Sequence, residues 1–171
     1  VGAVGGRNFG KYGFATDANW NKVVLQRAAH AIDFFAVHNA YAPVAASQSK
    51  RSVEDTYRAM FAFTQQIERN LADLQKEIAS TAKPQDAQRI RVAVTEWGPY
   101  FHVIPSDPYL DHVKTMGSGI FSALAFQTFI ENPITDFANF FKLTDVAWLG
   151  WVANDGNPTP SLLALEMFAK H

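Results

Sequence analysis

The chain has 171 residues, 48% of them hydrophobic and 13% aromatic, with a formal net charge of −1, which suffices for one compact unit and excludes a disordered chain. The lack of a basic excess removes the electrostatic ground for a nucleic-acid partner. The lack of cysteine excludes disulfides and thiolate metal sites but leaves the compartment open, and no apolar run reaches the roughly 20 residues of a membrane span.

Val1 to Val4 reads as a short buried strand ending at Gly5-Gly6, followed by a Gly-rich polar loop to Thr16. No stretch reads as a signal peptide. The abrupt apolar opening, without an initiator Met, suggests a piece of a longer polypeptide. Asp17 is a candidate N-cap for a helix carrying Trp20, Val23, Val24, Ala28 and Ala31 at helical spacing. Ile32 to Val37 is a β-branched and aromatic run, expected as a strand, and His38-Asn39-Ala40-Tyr41-Ala42-Pro43 leaves its far end.

Ser52, with Asp55 three residues on, marks a helix start. A long helix from Val53 to about Thr81 follows, striped by Tyr57, Met60, Phe61, Thr64, Ile67, Leu71, Leu74 and Ile78. Pro84 closes the connection to a strand over Ile90 to Thr95. Pro99 to Pro108 is a loop, Tyr109 to Ile130 a helix with Gly117 and Gly119 set for close packing, and Asn132-Pro133 its break. Thr135 to Phe141 is the fourth strand, Leu143 to Asn154 is ambiguous, and Pro160 to Ala169 is a last helix with Thr159 as candidate cap.

Four consecutive strand-helix units with nearly all-apolar strands predict an α/β fold with a parallel sheet, either half of a (β/α)8 TIM barrel or a small doubly wound sheet. The doubly wound alternative wants a phosphate loop after the first strand. Gly5-Gly6-Arg7-Asn8-Phe9-Gly10 lacks both the G-x-G-x-x-G spacing and an immediate helix.

In a parallel barrel, chemistry sits just beyond the strands' C-terminal ends. Three such places are Gly5-Gly6-Arg7-Asn8, His38-Asn39 and Glu96-Trp97, and a fourth lies around Asn139 to Lys142. Glu96 directly follows Val92-Ala93-Val94-Thr95, which places a carboxylate at the mouth of a core. It is either a catalytic carboxylate or an ion-pair partner of Arg89 or Arg91. Retaining glycosidases use one carboxylate as nucleophile and a second as acid/base, and sugar faces pack on aromatic rings such as Trp97. His38 is either a satisfied polar residue or, with Asn39 and Tyr41 beside it, a donor to sugar hydroxyls. Tyr100, Phe101 and His102 either line a subsite or cover the rim, and Trp148 and Trp151 read first as packing. No metal-ligand spacing, no G-x-S-x-G elbow and no motif requiring a cofactor is present.

Thr95-Glu96-Trp97-Gly98 resembles the nucleophile strand of clan A glycoside hydrolases. The closer resemblance is to the family 51 α-L-arabinofuranosidases, carried by Ala36-Val37-His38-Asn39-Ala40-Tyr41 and Ala18-Asn19-Trp20-Asn21. Gly117 to Phe129, Asn132 to Phe141 with Ala138-Asn139, and Asn157-Pro158-Thr159-Pro160 add to it. It covers nearly the whole chain as strands 5 to 8 of the barrel, so that residues 1–171 correspond to its C-terminal half. The N-terminal half and the family's β-sandwich are not represented in these residues.

The resemblance implies a retaining glycosidase acting on plant polysaccharide or oligosaccharide, with Glu96 as nucleophile. It implies sugar-binding roles for His38, Asn39, Tyr41, Trp97 and Tyr100. This sequence departs from the family in having Ala40 where a Tyr is usual, Tyr41 one place later, Tyr100 where a Trp is usual, and Gly98-Pro99 in place of an Asn-containing stretch. The family's acid/base lies in an Asn-Glu motif, and no Asn-Glu pair occurs here. The acid/base is therefore expected from outside these residues, with the other half-barrel supplied as a separate segment or by a homo-oligomer. The alternatives are another clan A activity (β-xylosidase, endoglucanase or agarase) and a non-catalytic carbohydrate-binding half-barrel.

Overall fold

The computed structural model describes residues 1–5, 19–38, 41, 52–99, 110–144 and 150–170. In chain order they form β1 (Gly2–Val4), α1 (Trp20–Ala28), β2 (Phe34–Val37), α2 (Val53–Thr81), α3 (Pro84–Arg89), β3 (Arg91–Trp97), α4 (Met116–Glu131), β4 (Thr135–Phe140) and α5 (Pro160–Lys170). Single 3₁₀ segments cover Ala29–Ala31 and Leu110–Lys114. The expected α/β alternation is present. Two compact units can be separated: Val1–Tyr41 with Ile67–Trp97 and Phe129–Asn139, and Ala42–Gln66 with Gly98–Thr128 and Phe140–His171.

The first unit holds the sheet. Its strands lie in the order β1-β2-β3-β4. β1 pairs with β2 and β2 with β3 in parallel, in register Val4↔Ala36 and Val37↔Val94. Each strand is added beside its predecessor. A doubly wound sheet reverses direction at a switch point, and these four strands show no such reversal. Phe35, Val37, Val92 and Val94 are fully buried, as are Ile67 and Leu71 on α2. Each such side chain contributes roughly 1.5–3 kcal/mol on burial. β4 follows beside β3, where Val92 N–H donates to the Ile134 carbonyl at 2.8 Å and Phe34 meets Phe137 edge to face at 5.5 Å. β1 is not the buried strand expected, because it is the edge of the sheet and Val1 and Val4 stay exposed; just beyond it, a Cβ at Gly5 would come within 2.5 Å of the Phe35 ring and 2.8 Å of the Ala36 carbonyl oxygen.

The second unit is built on helices. Ser52 caps α2 as expected: Asp55 N–H donates to its hydroxyl at 3.1 Å, and that hydroxyl donates to the Asp55 carboxylate at 2.8 Å. Gly117 and Gly119 are places of close packing. A Cβ at Gly117 would lie 2.0 Å from the Tyr57 ring, and one at Gly119 would lie 2.8 Å from Pro160 Cβ. Ser122 donates to Ser161 at 2.8 Å, Phe126 meets Phe168 at 5.6 Å, and Trp151 stacks on Phe140 at 4.6 Å, the packing role expected of it. Trp148 lies outside the described residues.

Several boundaries differ from the sequence expectation. The first helix ends at Ala28 and continues as a 3₁₀ turn, and β2 starts at Phe34 instead of Ile32. Pro84 does not merely close a connection. It opens α3 at the first helical position, where its missing N–H costs nothing. The helix expected from Tyr109 is divided at Thr115, whose hydroxyl donates to the His112 carbonyl at 2.6 Å and competes with the helical pattern. The Thr159 hydroxyl is buried and makes no hydrogen bond among the described residues, so Thr159 heads α5 through its carbonyl, which accepts from Leu162 and Leu163. The candidate cap Asp17 lies outside the described residues. Between Leu143 and Asn154, the described residues form the isolated bridge Thr144↔Val152, and Val152 also bridges Pro158. None of the described helices is long and apolar enough to cross a membrane.

Candidate active site

β3 is two residues longer than its apolar run suggests. Glu96 and Trp97 are its last residues and do not lie in the loop beyond it. The reason is a long-range pairing, since Trp97 bridges in parallel to Tyr41. From Val37↔Val94 to Tyr41↔Trp97 the chain advances four residues on one side and three on the other.

This pairing brings His38 to the end of β3. His38 Nε2 lies 3.3 Å from Glu96 Oε2. Its Nδ1 lies 3.1 Å from the Thr95 hydroxyl, which donates to the Val37 carbonyl at 3.0 Å. The Glu96 side chain keeps 18% of its surface exposed and that of His38 44%. The carboxylate is thus held by the sheet yet open to a small molecule. An oriented carboxylate at the C-terminal end of a parallel strand can act as a nucleophile or stabilise a developing positive charge.

Pairing of Glu96 with Arg89 or Arg91 is not what is found. Arg89 lies at the opposite end of β3, where it binds the Ile32 carbonyl, the Ala29 carbonyl at 2.9 Å, and Asp33 at 2.8 Å. Arg91 begins the strand, about 16 Å from Glu96 at the rise of an extended chain.

Tyr41 and Trp97, both read as sugar contacts, have no exposed surface in this structure. Trp97 packs edge to face on Phe129 at 5.1 Å, and Tyr41 lies against the same ring at 5.8 Å. The Tyr41 hydroxyl donates to Asn70 Oδ1 on α2 at 2.7 Å. Burial pushes the Tyr41 phenol well above its usual range, so it remains a donor. Both rings are core packing in this structure. Asn39 and Tyr100 lie outside the described residues, as do Phe101 and His102. No group of three His, Asp or Glu capable of holding a metal occurs among the described residues.

Two residues of this constellation were not singled out from the sequence. Thr95 becomes visible once Val37 is set against Val94, because the next pair along the strands is His38 and Thr95. Asn70 lies on the exposed-to-buried border of a long amphipathic helix, and nothing local distinguishes it from its polar neighbours.

The chain is similar in structure to a GH51 arabinofuranosidase from Xanthomonas axonopodis pv. citri, with 16% identity and a TM-score of 0.67 over 89% of this chain and 32% of that one. It is similar to a second arabinofuranosidase, with 24% identity and a TM-score of 0.67 over 96% of this chain and 30% of that one. The fold is shared with the arabinofuranosidases of family 51. A monomeric β-xylosidase from Caulobacter crescentus CB15 is also similar, with 14% identity and a TM-score of 0.61 over 92% of this chain and 32% of that one. The chain spans about a third of the length of these structures. No protein-family model matches the sequence, and no curated protein matches it.

Proposed function

We propose that this chain carries the nucleophile half of a retaining glycoside hydrolase site that acts on α-L-arabinofuranosides of plant polysaccharide or oligosaccharide. The supporting observation is the His38–Glu96 contact at the C-terminal end of a parallel strand, in a fold shared with arabinofuranosidases. In this reading the chain supplies strands 5 to 8 of a (β/α)8 barrel. The other half-barrel comes from a separate segment or from a second copy.

Glu96 Oε attacks the anomeric carbon as the glycosidic bond breaks. An acid/base carboxyl from the other half, about 5 to 5.5 Å away, protonates the leaving oxygen. That group then takes a proton from water as the water oxygen bonds to the anomeric carbon and the bond to Glu96 breaks, which releases the sugar and restores the carboxylate. His38 orients the carboxylate. Trp97 and Tyr41, buried beneath the strand ends, hold the backbone that carries the pair, and Asn39 and Tyr100 contact the sugar on the strength of the family resemblance. No cofactor or metal is required.

A second reading, β-xylosidase, is favoured by the likeness to the Caulobacter enzyme. Nitrophenyl glycosides separate the two in the intact protein. Turnover of the α-L-arabinofuranoside over the β-xyloside supports the first, and the reverse order replaces it with the second. Absence of any turnover together with sugar binding would identify a non-catalytic binding protein.

A further inference from the structure

We infer that Thr95 is a positioning residue for the Glu96 nucleophile, acting through His38 by the directions of three hydrogen bonds; the inference rests on the proposed role of Glu96. A carbonyl oxygen only accepts, so the single hydroxyl proton of Thr95 goes to Val37 O at 3.0 Å. The Thr95 oxygen therefore meets His38 Nδ1, 3.1 Å away, with a lone pair. It can only accept there, and Nδ1 carries a proton.

With Nδ1 committed as a donor, a neutral ring would present a bare lone pair from Nε2 to Glu96 Oε2 at 3.3 Å. Two acceptors do not rest at that distance. The contact as found needs a proton between ring and carboxylate. Thr95 thus fixes the ring plane and turns Nε2 onto the nucleophile. The titratable group facing His38 from β3 is Glu96. Tyr41, the next titratable side chain after His38, is directed to Asn70.

The opposing arrangement is a neutral ring protonated at Nε2 alone. It would require Thr95 to turn its proton from Val37 toward Nδ1 and give up the carbonyl bond. That choice is available to the side chain but is not the geometry present.

The test uses the intact protein with ¹⁵N-labelled histidine, the His38 signals being assigned by their loss in His38→Gln. The Nδ1 signal of His38 should show the shift of a protonated nitrogen. In Thr95→Val, which keeps the shape and removes the hydroxyl, the Nδ1 signal should move toward the unprotonated range, and Thr95→Ser should restore it. In kinetics, Thr95→Val should lower kcat about fivefold, the worth of one net hydrogen bond, with KM little changed, and Thr95→Ser should recover most of the loss. A wild-type His38 protonated only at Nε2 would overturn the inference. So would a Thr95→Val spectrum identical to that of Thr95→Ser. The nitrogen signals do not depend on turnover, so an inactive protein showing them would discard the glycosidase reading and leave the Thr95–His38 geometry standing.

Discussion

Replacing Tyr41 with Phe separates the two roles open to this residue. The ring stays, packed on Phe129 and paired through the backbone with Trp97, while the hydroxyl that donates to Asn70 Oδ1 at 2.7 Å is lost. A net hydrogen bond is worth about 0.5–1.5 kcal/mol, and more where the abandoned partner stays dry. Asn70 is half-buried, so water reaches it in part. The expected loss is about 1 kcal/mol, or roughly 2–4 °C in Tm for a protein of 150–250 residues. Burial raises the phenol's ionisation range. Below about pH 10 both folded and unfolded chains keep the proton, and the difference from wild type is flat. Above that pH the unfolded wild-type chain ionises while the buried phenol resists, wild-type stability falls, and the gap to the variant narrows. Urea denaturation and steady-state kinetics of the intact protein read these effects. An unchanged Tm with KM raised several-fold would refute the packing role and return Tyr41 to the sugar contacts suggested by its place in the sequence.

Two further substitutions test the packing away from the candidate site. Gly117→Ala places a Cβ 2.0 Å from the ring of Tyr57, whose hydroxyl donates to the Thr115 hydroxyl. It should destabilise by about 1–3 kcal/mol in thermal melts, and Tyr57→Leu in the same chain should recover part of the loss. Arg89→Ala removes bonds to the Ala29 carbonyl and Asp33 at the start of β3. It should lower stability by about 1–3 kcal/mol while leaving kcat within twofold, since it acts at the strand end opposite Glu96.

What the sequence made legible was what local chemistry decides. α2 forms over Val53–Thr81 as expected because a Ser52 cap and a sustained 3.6-residue apolar stripe agree. The core strands were recognisable as apolar runs between breakers. α3 was not, because Pro84–Arg89 is short and polar and carries no stripe. The end of β3 was set two residues early because pairing with Tyr41, more than fifty residues away in sequence, holds Trp97 in the strand. For the same reason Glu96 was legible as a residue but its neighbours were not. His38 and Thr95 meet it only through the parallel register of two strands. The burial of Tyr41 and Trp97 likewise depends on Phe129, which no local pattern ties to either residue.

The most direct measurement of Glu96 as nucleophile is turnover of an activated arabinofuranoside by the intact protein carrying Glu96→Ala, with and without azide. Loss of the carboxylate should reduce turnover to a small residue. Azide, entering where the side chain stood, should restore release of the leaving group and give a glycosyl azide of inverted configuration. Full activity in Glu96→Ala, without azide, would contradict the assignment.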